Sequence, residues 1–338
     1  MNVRDSSDSN CARTHACRFG LKLLLFVAIA GLLLVLYLRA ATTALKALHG
    51  PSTAEQIHES FANALHRKYD CLVMGNSRIY RGVNPDLFWC AAYNFSHDND
   101  SFAQDYFKLK YLEQHGVAVN YLVLGVDYFE FSFLSSSRNY VYGSYFGSEY
   151  LGNFHDSLND QFNAYMSLKF TQSFPSVMAY WFGYAHDAAE SNRSHLKPNG
   201  QYIVAFHKSK EWWRDTAKRE SNRLPVEEAY FEKILAYTQQ HQIATLLIMP
   251  PTRDDELKSY DTATIKEFDE LFQTKARQYG AHYLNFSTNK QFALEDYMDS
   301  THLTPEAADR FSRMLSDEVT GLVTNKNTPW AAELRIDH

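Results

Sequence analysis

The stretch Cys71-Leu72-Val73-Met74-Gly75-Asn76-Ser77-Arg78 decides how this chain is read. A short apolar run closed by a glycine has the length and composition of a strand buried on both faces. The serine follows the end of that strand at once, which places its hydroxyl at the carboxyl edge of a sheet, where ligands of open α/β folds bind. If a helix begins there, Ser77 N–H also points toward negative charge developing on a bound group. Gly-x-Ser after an apolar run often arises by chance, so its meaning depends on the rest of the chain.

Moving outward, Ser52-Thr53-Ala54-Glu55 is a capping box that opens a helix toward Lys68. Ala91 to Phe95 is a second apolar run, and Ser101 with Gln104 starts a helix that ends at His115-Gly116. Tyr121 to Val126 is a third strand. The same rhythm returns later: a helix from Pro225 to Gln240, a strand from Ile243 to Met249 stopped by Pro250-Pro251, and a helix from Thr262 to Tyr279 closed by Gly280. A fifth strand, His282 to Phe286, precedes a last helix capped by Thr304 with Pro305 in its first turn. Strands alternating with helices predict a three-layer α/β/α domain on a parallel five-stranded sheet, spanning residues 50–320 with a tail at 321–338.

Residues 128–224 break the rhythm. Tyr128 to Tyr184 is crowded with rings, among them Phe129, Phe131, Phe133, Tyr140, Tyr142, Tyr145, Phe146 and Tyr150. It reads as a partly helical insertion over one edge of the sheet. Such rings serve as a platform for sugars, as a membrane-facing lip, or as extra core beneath long loops.

Leu23 to Leu38 carries no charge, and Phe19 to Leu38 is interrupted only by Lys22. A spanning helix needs about 20 apolar residues, and a lysine near its end reaches the headgroups. Residues 19–39 are therefore expected to cross a membrane, with Ala40 to Gly50 as a short link. Arg4, Arg13, Arg18 and Lys22 lie at or before the span, and only Arg39 and Lys46 follow closely. That bias puts residues 1–18 in the cytoplasm and the domain on the other side. A cleaved signal peptide is the rival, but Leu38 and Arg39 occupy positions where cleavage after Ala40 or Ala41 needs small residues.

With 33 Lys and Arg against 39 Asp and Glu, and no basic block, nucleic acid is not an expected partner. Cys71 and Cys90 fall in the exported part, where a bridge and two separate buried thiols are both open. His97-Asp98 and His186-Asp187 have no metal-site spacing, so neither a metal nor a cofactor is expected. Gly147 and Gly152 make no phosphate loop.

The second chemical element is Asp299-Ser300-Thr301-His302, just before the last helix. A serine hydroxyl needs an imidazole to take its proton. The imidazole in turn needs a carboxylate to fix its tautomer and stabilise its charged form. Asp299, three residues before His302 in a tight turn, meets that need locally.

Ser77 after the first strand and Asp299-x-x-His302 after the fifth resemble the SGNH (GDSL-like) hydrolase superfamily over about residues 70–315. The resemblance implies a flavodoxin-like sheet, Ser77 as nucleophile, His302 as base and Asp299 as its orienting group. Asn76 stands where an Asp is usual. Asn94-Phe95-Ser96 matches the second block, whose usual glycine N–H would be replaced by Ser96 N–H or the Asn94 amide. Gly125-Val126-Asp127 matches the third, with Asp127 in place of an asparagine donor. An ionised Asp127 repels an oxyanion, so it binds an amine, pairs with Arg78 or Arg81, or holds the strand end. Arg78 is also a candidate substrate contact.

Asn94-Phe95-Ser96, Leu124-Gly125-Val126-Asp127-Tyr128 and the anchored layout are similar to the membrane-bound members tied to alginate O-acetylation and teichoic-acid D-alanylation. That likeness implies an acyltransferase or esterase at the cell membrane, with its domain periplasmic or extracellular. An envelope polysaccharide or acyl donor is the implied substrate, and a membrane-bound acyltransferase the implied partner. The competing expectation is a non-catalytic docking protein of such a complex.

Overall fold

The computed structural model describes residues 5–154, 158–167, 170, 174–184, 194–204 and 222–324. Its helices are α1 (Asp5–His49), α2 (Thr53–His66), α3 (Ser77–Gly82), α4 (Phe102–Gln114), α5 (Asn139–Leu151), α6 (Leu158–Ser167), α7 (Phe174–Trp181), α8 (Pro225–Gln240), α9 (Asp254–Leu257), α10 (Thr262–Tyr279) and α11 (Pro305–Thr324). The strands are β1 (Cys71–Met74), β2 (Ala92–Asn94), β3 (Tyr121–Gly125), β4 (His195–Leu196), β5 (Tyr202–Ile203), β6 (Ala244–Met249) and β7 (His282–Asn285). Contacts divide the chain into two compact units, one of residues 1–50 and 163–188, the other of 51–162 and 189–338.

In the larger unit, five strands form an all-parallel sheet in the order β2-β1-β3-β6-β7, while β4 and β5 pair as a separate antiparallel hairpin. The chain reverses its direction of travel across the sheet between β1 and β3, so a crevice opens at the carboxyl ends of those two strands. Alternate side chains face opposite ways along a strand. Leu72, Met74, Leu122, Leu124, Leu247 and Met249 accordingly pack into one core with Phe61 of α2, Phe107 of α4, Ile234 of α8 and Phe272 of α10. Cys71, Val73, Val123, Leu246 and Ile248 pack into another with Ile79 of α3 and Phe311, Leu315 and Val319 of α11. Burial on both faces is why β1 and β6 read as continuous apolar runs rather than as alternating ones.

The start of the insertion belongs to the first of these cores. Val141, Tyr142 and Tyr150 of α5 are buried, and Phe61 stacks on Tyr145 with ring centroids 3.8 Å apart. Here the rings act as extra core.

In the smaller unit, α1 runs 45 residues. Its segment Arg18–His49 is long and apolar enough to cross a membrane, and its most apolar window is wholly exposed. The short link expected at Ala40 to Gly50 is instead a continuation of this helix to His49. Ala and Leu dominate that stretch and are strong helix formers. The helix stops where Gly50 takes a left-handed φ of 81° and its N–H bonds Lys46 O at 2.9 Å, with Pro51 next.

Candidate active site

The carboxyl edge of β1 is built by close approach. Gly75 has φ 143°, and a Cβ there would lie 2.9 Å from Ile79 Cγ1; a Cβ on Gly125 would lie 2.1 Å from the same atom. The two glycines let α3 settle directly on the ends of β1 and β3. Asn76 caps α3, its Oδ1 accepting from Arg78 N at 2.9 Å. Ser77 is thus the first helical residue, whose N–H has no acceptor within the helix.

The partner loop closes on itself. Tyr297 and Leu303 form an antiparallel bridge, and Met298 N donates to His302 O at 2.9 Å. Asp299 Oδ1 accepts from Thr301 N at 2.9 Å and from His302 N at 2.8 Å, so one carboxylate oxygen shapes the turn. The other, Oδ2, lies 2.7 Å from His302 Nδ1. Arg253 Nη1 ties the turn to the end of β6 by donating to Asp299 O at 2.8 Å. Across the crevice, His302 Nε2 lies 2.8 Å from Ser77 Oγ.

That pairing fixes the tautomer. Nδ1–H donates to Asp299, which leaves the Nε2 lone pair to accept the Ser77 hydroxyl proton. Partial burial opposes ionisation of Asp299, but hydrogen bonds from His302 and the turn amides outweigh it and hold the carboxyl well below its ordinary range. Ser77 and the Asp299–His302 block, far apart in sequence, are therefore brought into one hydrogen-bonded line.

The other expected site residues are placed differently. Arg78 and Asp127 form a buried ion pair, and Arg78 Nη2 also donates to Pro251 O at 2.8 Å and Thr252 Oγ1 at 2.6 Å. Both side chains are buried, and together they bolt the end of β3 to the loop after β6. Asn94 and Ser96 are also fully buried. The Asn94 amide donates to Ile79 O at 3.0 Å and Val83 O at 3.1 Å, and its oxygen accepts from Ser96 N at 3.1 Å. Both substitute oxyanion donors expected from the sequence are spent inside the chain. They hold α3 against β2 because a buried carbonyl without a donor would cost free energy.

Asn76 has its own partner. Its amide donates to Glu130 Oε2 at 2.5 Å. Burial first, then the charge of Asp127, pushes the Glu130 carboxyl well above its ordinary range. An aspartate at position 76 would set a third carboxylate against Glu130 and Asp127, whereas the amide can donate.

Arg81, which the sequence offered only as an alternative partner for Asp127, instead lies beside the His302 ring. It lies four residues past Ser77 on α3, hence on the same helix face. Its guanidinium pairs with Asp98 at 2.8 Å, and Nη1 comes within 3.5 Å of His302 Nδ1. Since Nδ1–H points at Asp299, this contact is a charge beside the ring rather than a second hydrogen bond. The i, i+4 spacing from Ser77 was the available signal.

His97 is buried with Nδ1 2.9 Å from Tyr142 Oη, and Asp98 is committed to Arg81. His186-Asp187 lies outside the described residues. Among the described residues no group of three or more His, Cys, Asp or Glu is arranged to hold a metal ion. Cys71 and Cys90 are unbridged, and burial, then the neighbouring Cys90, pushes the Cys71 thiol up.

No family model matches the chain, and no curated protein matches it either.

Proposed function

We propose that this chain is a membrane-anchored acyltransferase or esterase of SGNH type, working through an acyl-enzyme on Ser77 at acyl groups of a cell-envelope polysaccharide. The observation that carries this proposal is the line Ser77 Oγ to His302 Nε2 at 2.8 Å and His302 Nδ1 to Asp299 Oδ2 at 2.7 Å. The strand order β2-β1-β3-β6-β7, with cores on both faces of the sheet, supports the three-layer flavodoxin-like arrangement.

In this mechanism His302 Nε2 takes the Ser77 proton as Oγ attacks the acyl carbonyl carbon. The carbonyl oxygen gains the negative charge, and Ser77 N–H is placed to donate to it. Asp299 stabilises the imidazolium, which then protonates the leaving alcohol as the tetrahedral centre collapses to an ester on Ser77. A polysaccharide hydroxyl or water then attacks the acyl carbon while Nε2 takes its proton, and Nε2 returns that proton to Ser77 Oγ as the ester bond to the serine breaks. The basic residues preceding the apolar span support a cytoplasmic N-terminus and a domain outside the cytoplasm. Ser77→Ala tests the proposal: envelope acylation and ester turnover should both be lost, and unchanged values of both would end it.

One observation favours a second reading, a non-catalytic partner of a membrane acyltransferase. With Asn94 and Ser96 engaged internally, Ser77 N–H is the one oxyanion donor that the expected blocks supply. Under that reading Ser77→Ala leaves acylation intact, while substitutions on the surface that meets the partner abolish it.

A further inference from the structure

The far part of the aromatic insertion is built differently from its start. Phe170 to Tyr184 carries no charged residue, between Lys169 and His186-Asp187. Within it, α7 packs on the C-terminal part of α1. Ala41, Ala44 and Val177 are buried together, with Tyr37, Leu45 and Tyr180 around them. Tyr37 stacks on Phe170 at 4.6 Å, and Trp181 Nε1 donates to Ala40 O at 3.4 Å. This small core leaves other rings outside. Trp181, Phe182 and Tyr184 are 54%, 67% and 85% exposed, and Phe174 is exposed beside them. A run of exposed rings without a charge among them marks an interaction surface.

Position along α1 says what covers it. A hydrocarbon core takes about 20 helical residues, and each headgroup layer adds roughly 5–7 Å. Phe19 to Leu38 fills that core, so its boundary falls beside Tyr37 and Leu38. Ala40 is two residues further on, about 3 Å along the axis at the rise of an α-helix. Trp181, bonded to the Ala40 carbonyl, is thereby held at headgroup depth. Trp and Tyr concentrate at that depth because their rings are apolar with one polar atom. With eight residues α7 is far too short to span.

We infer that α7 and residues 182–184 are seated in the headgroup–acyl boundary of the bilayer that α1 crosses, through Phe174, Trp181, Phe182 and Tyr184. This rests on the reading of α1 as a membrane anchor. The anchor and α7 then form one unit with two membrane contacts, and α7 sets the depth at which α1 sits.

The test uses the full chain in phosphatidylcholine vesicles containing lipid brominated either near the headgroup or near the chain terminus. Emission of the wild type minus that of Trp181→Phe isolates Trp181 among the five tryptophans. Quenching several times stronger with the shallow bromine than with the deep one is expected. Tyr184→Trp in the Trp181→Phe background should repeat that pattern and guards against a local fault of the first variant. Alkaline carbonate washing is run alongside. If the chain stays with the vesicles while Trp181 is unquenched, the seating of α7 is wrong and the anchor stands. If carbonate releases the chain, the anchor fails and the seating with it. Unquenched emission that shifts when protein is diluted in lipid would assign the rings to a second copy, which also overturns the inference.

Discussion

Ser77 and Arg78 are adjacent, yet their side chains leave α3 for opposite surroundings. Ser77 joins His302 and Asp299, whose side chains keep 14% and 21% of their surface. Arg78 joins Asp127 in a pair with 3% and 2%. Both sets hang on the same strand edge, and both pair a carboxylate with a nitrogen base. In the open set the carboxylate has one oxygen left for the turn backbone and one for the ring, and the ring's far nitrogen meets a hydroxyl. In the sealed set both terminal nitrogens of the guanidinium are engaged, Nη1 by Asp127 and Nη2 by Pro250 O, Pro251 O and Thr252 Oγ1, while Nε is buried without a partner among the described residues. One edge of one sheet thus supplies both a proton-transfer line and the rigid footing beneath it, and solvent access separates the two.

The largest effect expected from breaking this comparison is on the open side. Ser77→Ala or His302→Ala should lower turnover of an activated acetyl ester by on the order of 10⁴-fold or more. Unfolding in urea should be nearly unchanged in Ser77→Ala. A stability loss matching the activity loss would show that the open set is a footing too.

On the sealed side the ranking inverts. Arg78→Met leaves Asp127 buried without its counter-charge, a loss of about 3–5 kcal/mol. Arg78→Met with Asp127→Leu should recover most of that, since replacing both charges removes the uncompensated one. Urea midpoints of the single and double variants decide this. A harmless single variant would mean that the pair bolts nothing.

The open set should also differ in pH response from a buried carboxyl outside both sets, Glu227 of α8, which accepts from Ser101 Oγ at 2.9 Å. Burial pushes the Glu227 carboxyl up to about 7 from an ordinary 4.5, against the opposing hydrogen bond from Ser101. Between those values the folded chain holds a proton that the unfolded chain has lost, so stability is full below the unfolded value and falls as pH rises through the folded one. The Glu227 contribution amounts to about 3 kcal/mol in total, and Glu227→Gln should flatten the profile by that amount while leaving the share of the other raised carboxyl, Glu130. Asp299 has the opposite sign: its carboxyl is depressed, so its contribution is present above its ordinary value of 3.8 and fades only in stronger acid. Unfolding free energies from neutral pH to mild acid read the first, and extending the series into stronger acid reads the second.

The smallest effect is at Arg81. Its pair with Asp98 is partly exposed, and Arg81→Ala should change unfolding free energy by less than about 1 kcal/mol. Two arginines on one short helix would then differ severalfold in structural weight. Equal losses at Arg78 and Arg81 would erase the distinction between open and sealed.

Much of this architecture was legible because it is written locally. Thr262 to Tyr279 was bounded correctly since Asp261 caps Thr264 N at 2.7 Å and Gly280 takes a left-handed φ of 71°. The parallel strands were visible as apolar runs because both faces are covered. Ser77, Asp299 and His302 could be grouped because each follows a strand end in order. What escaped depends on direction rather than spacing. Nothing in Asn94-Phe95-Ser96 tells that the amide turns inward to Ile79 O and Val83 O. The split of the aromatic insertion escaped for the same reason: Tyr142 and Trp181 look alike in sequence, and only packing sends one into the core and the other against α1.

The central claim is that Ser77 is a nucleophile activated by His302, and the most direct test is covalent. The full chain is treated with a fluorophosphonate and the adduct mapped by mass spectrometry. The geometry predicts a single adduct, on Ser77 Oγ, that disappears in His302→Ala and is strongly reduced in Asp299→Asn. A folded wild-type chain that carries no adduct on Ser77, or one that labels equally without His302, would contradict it.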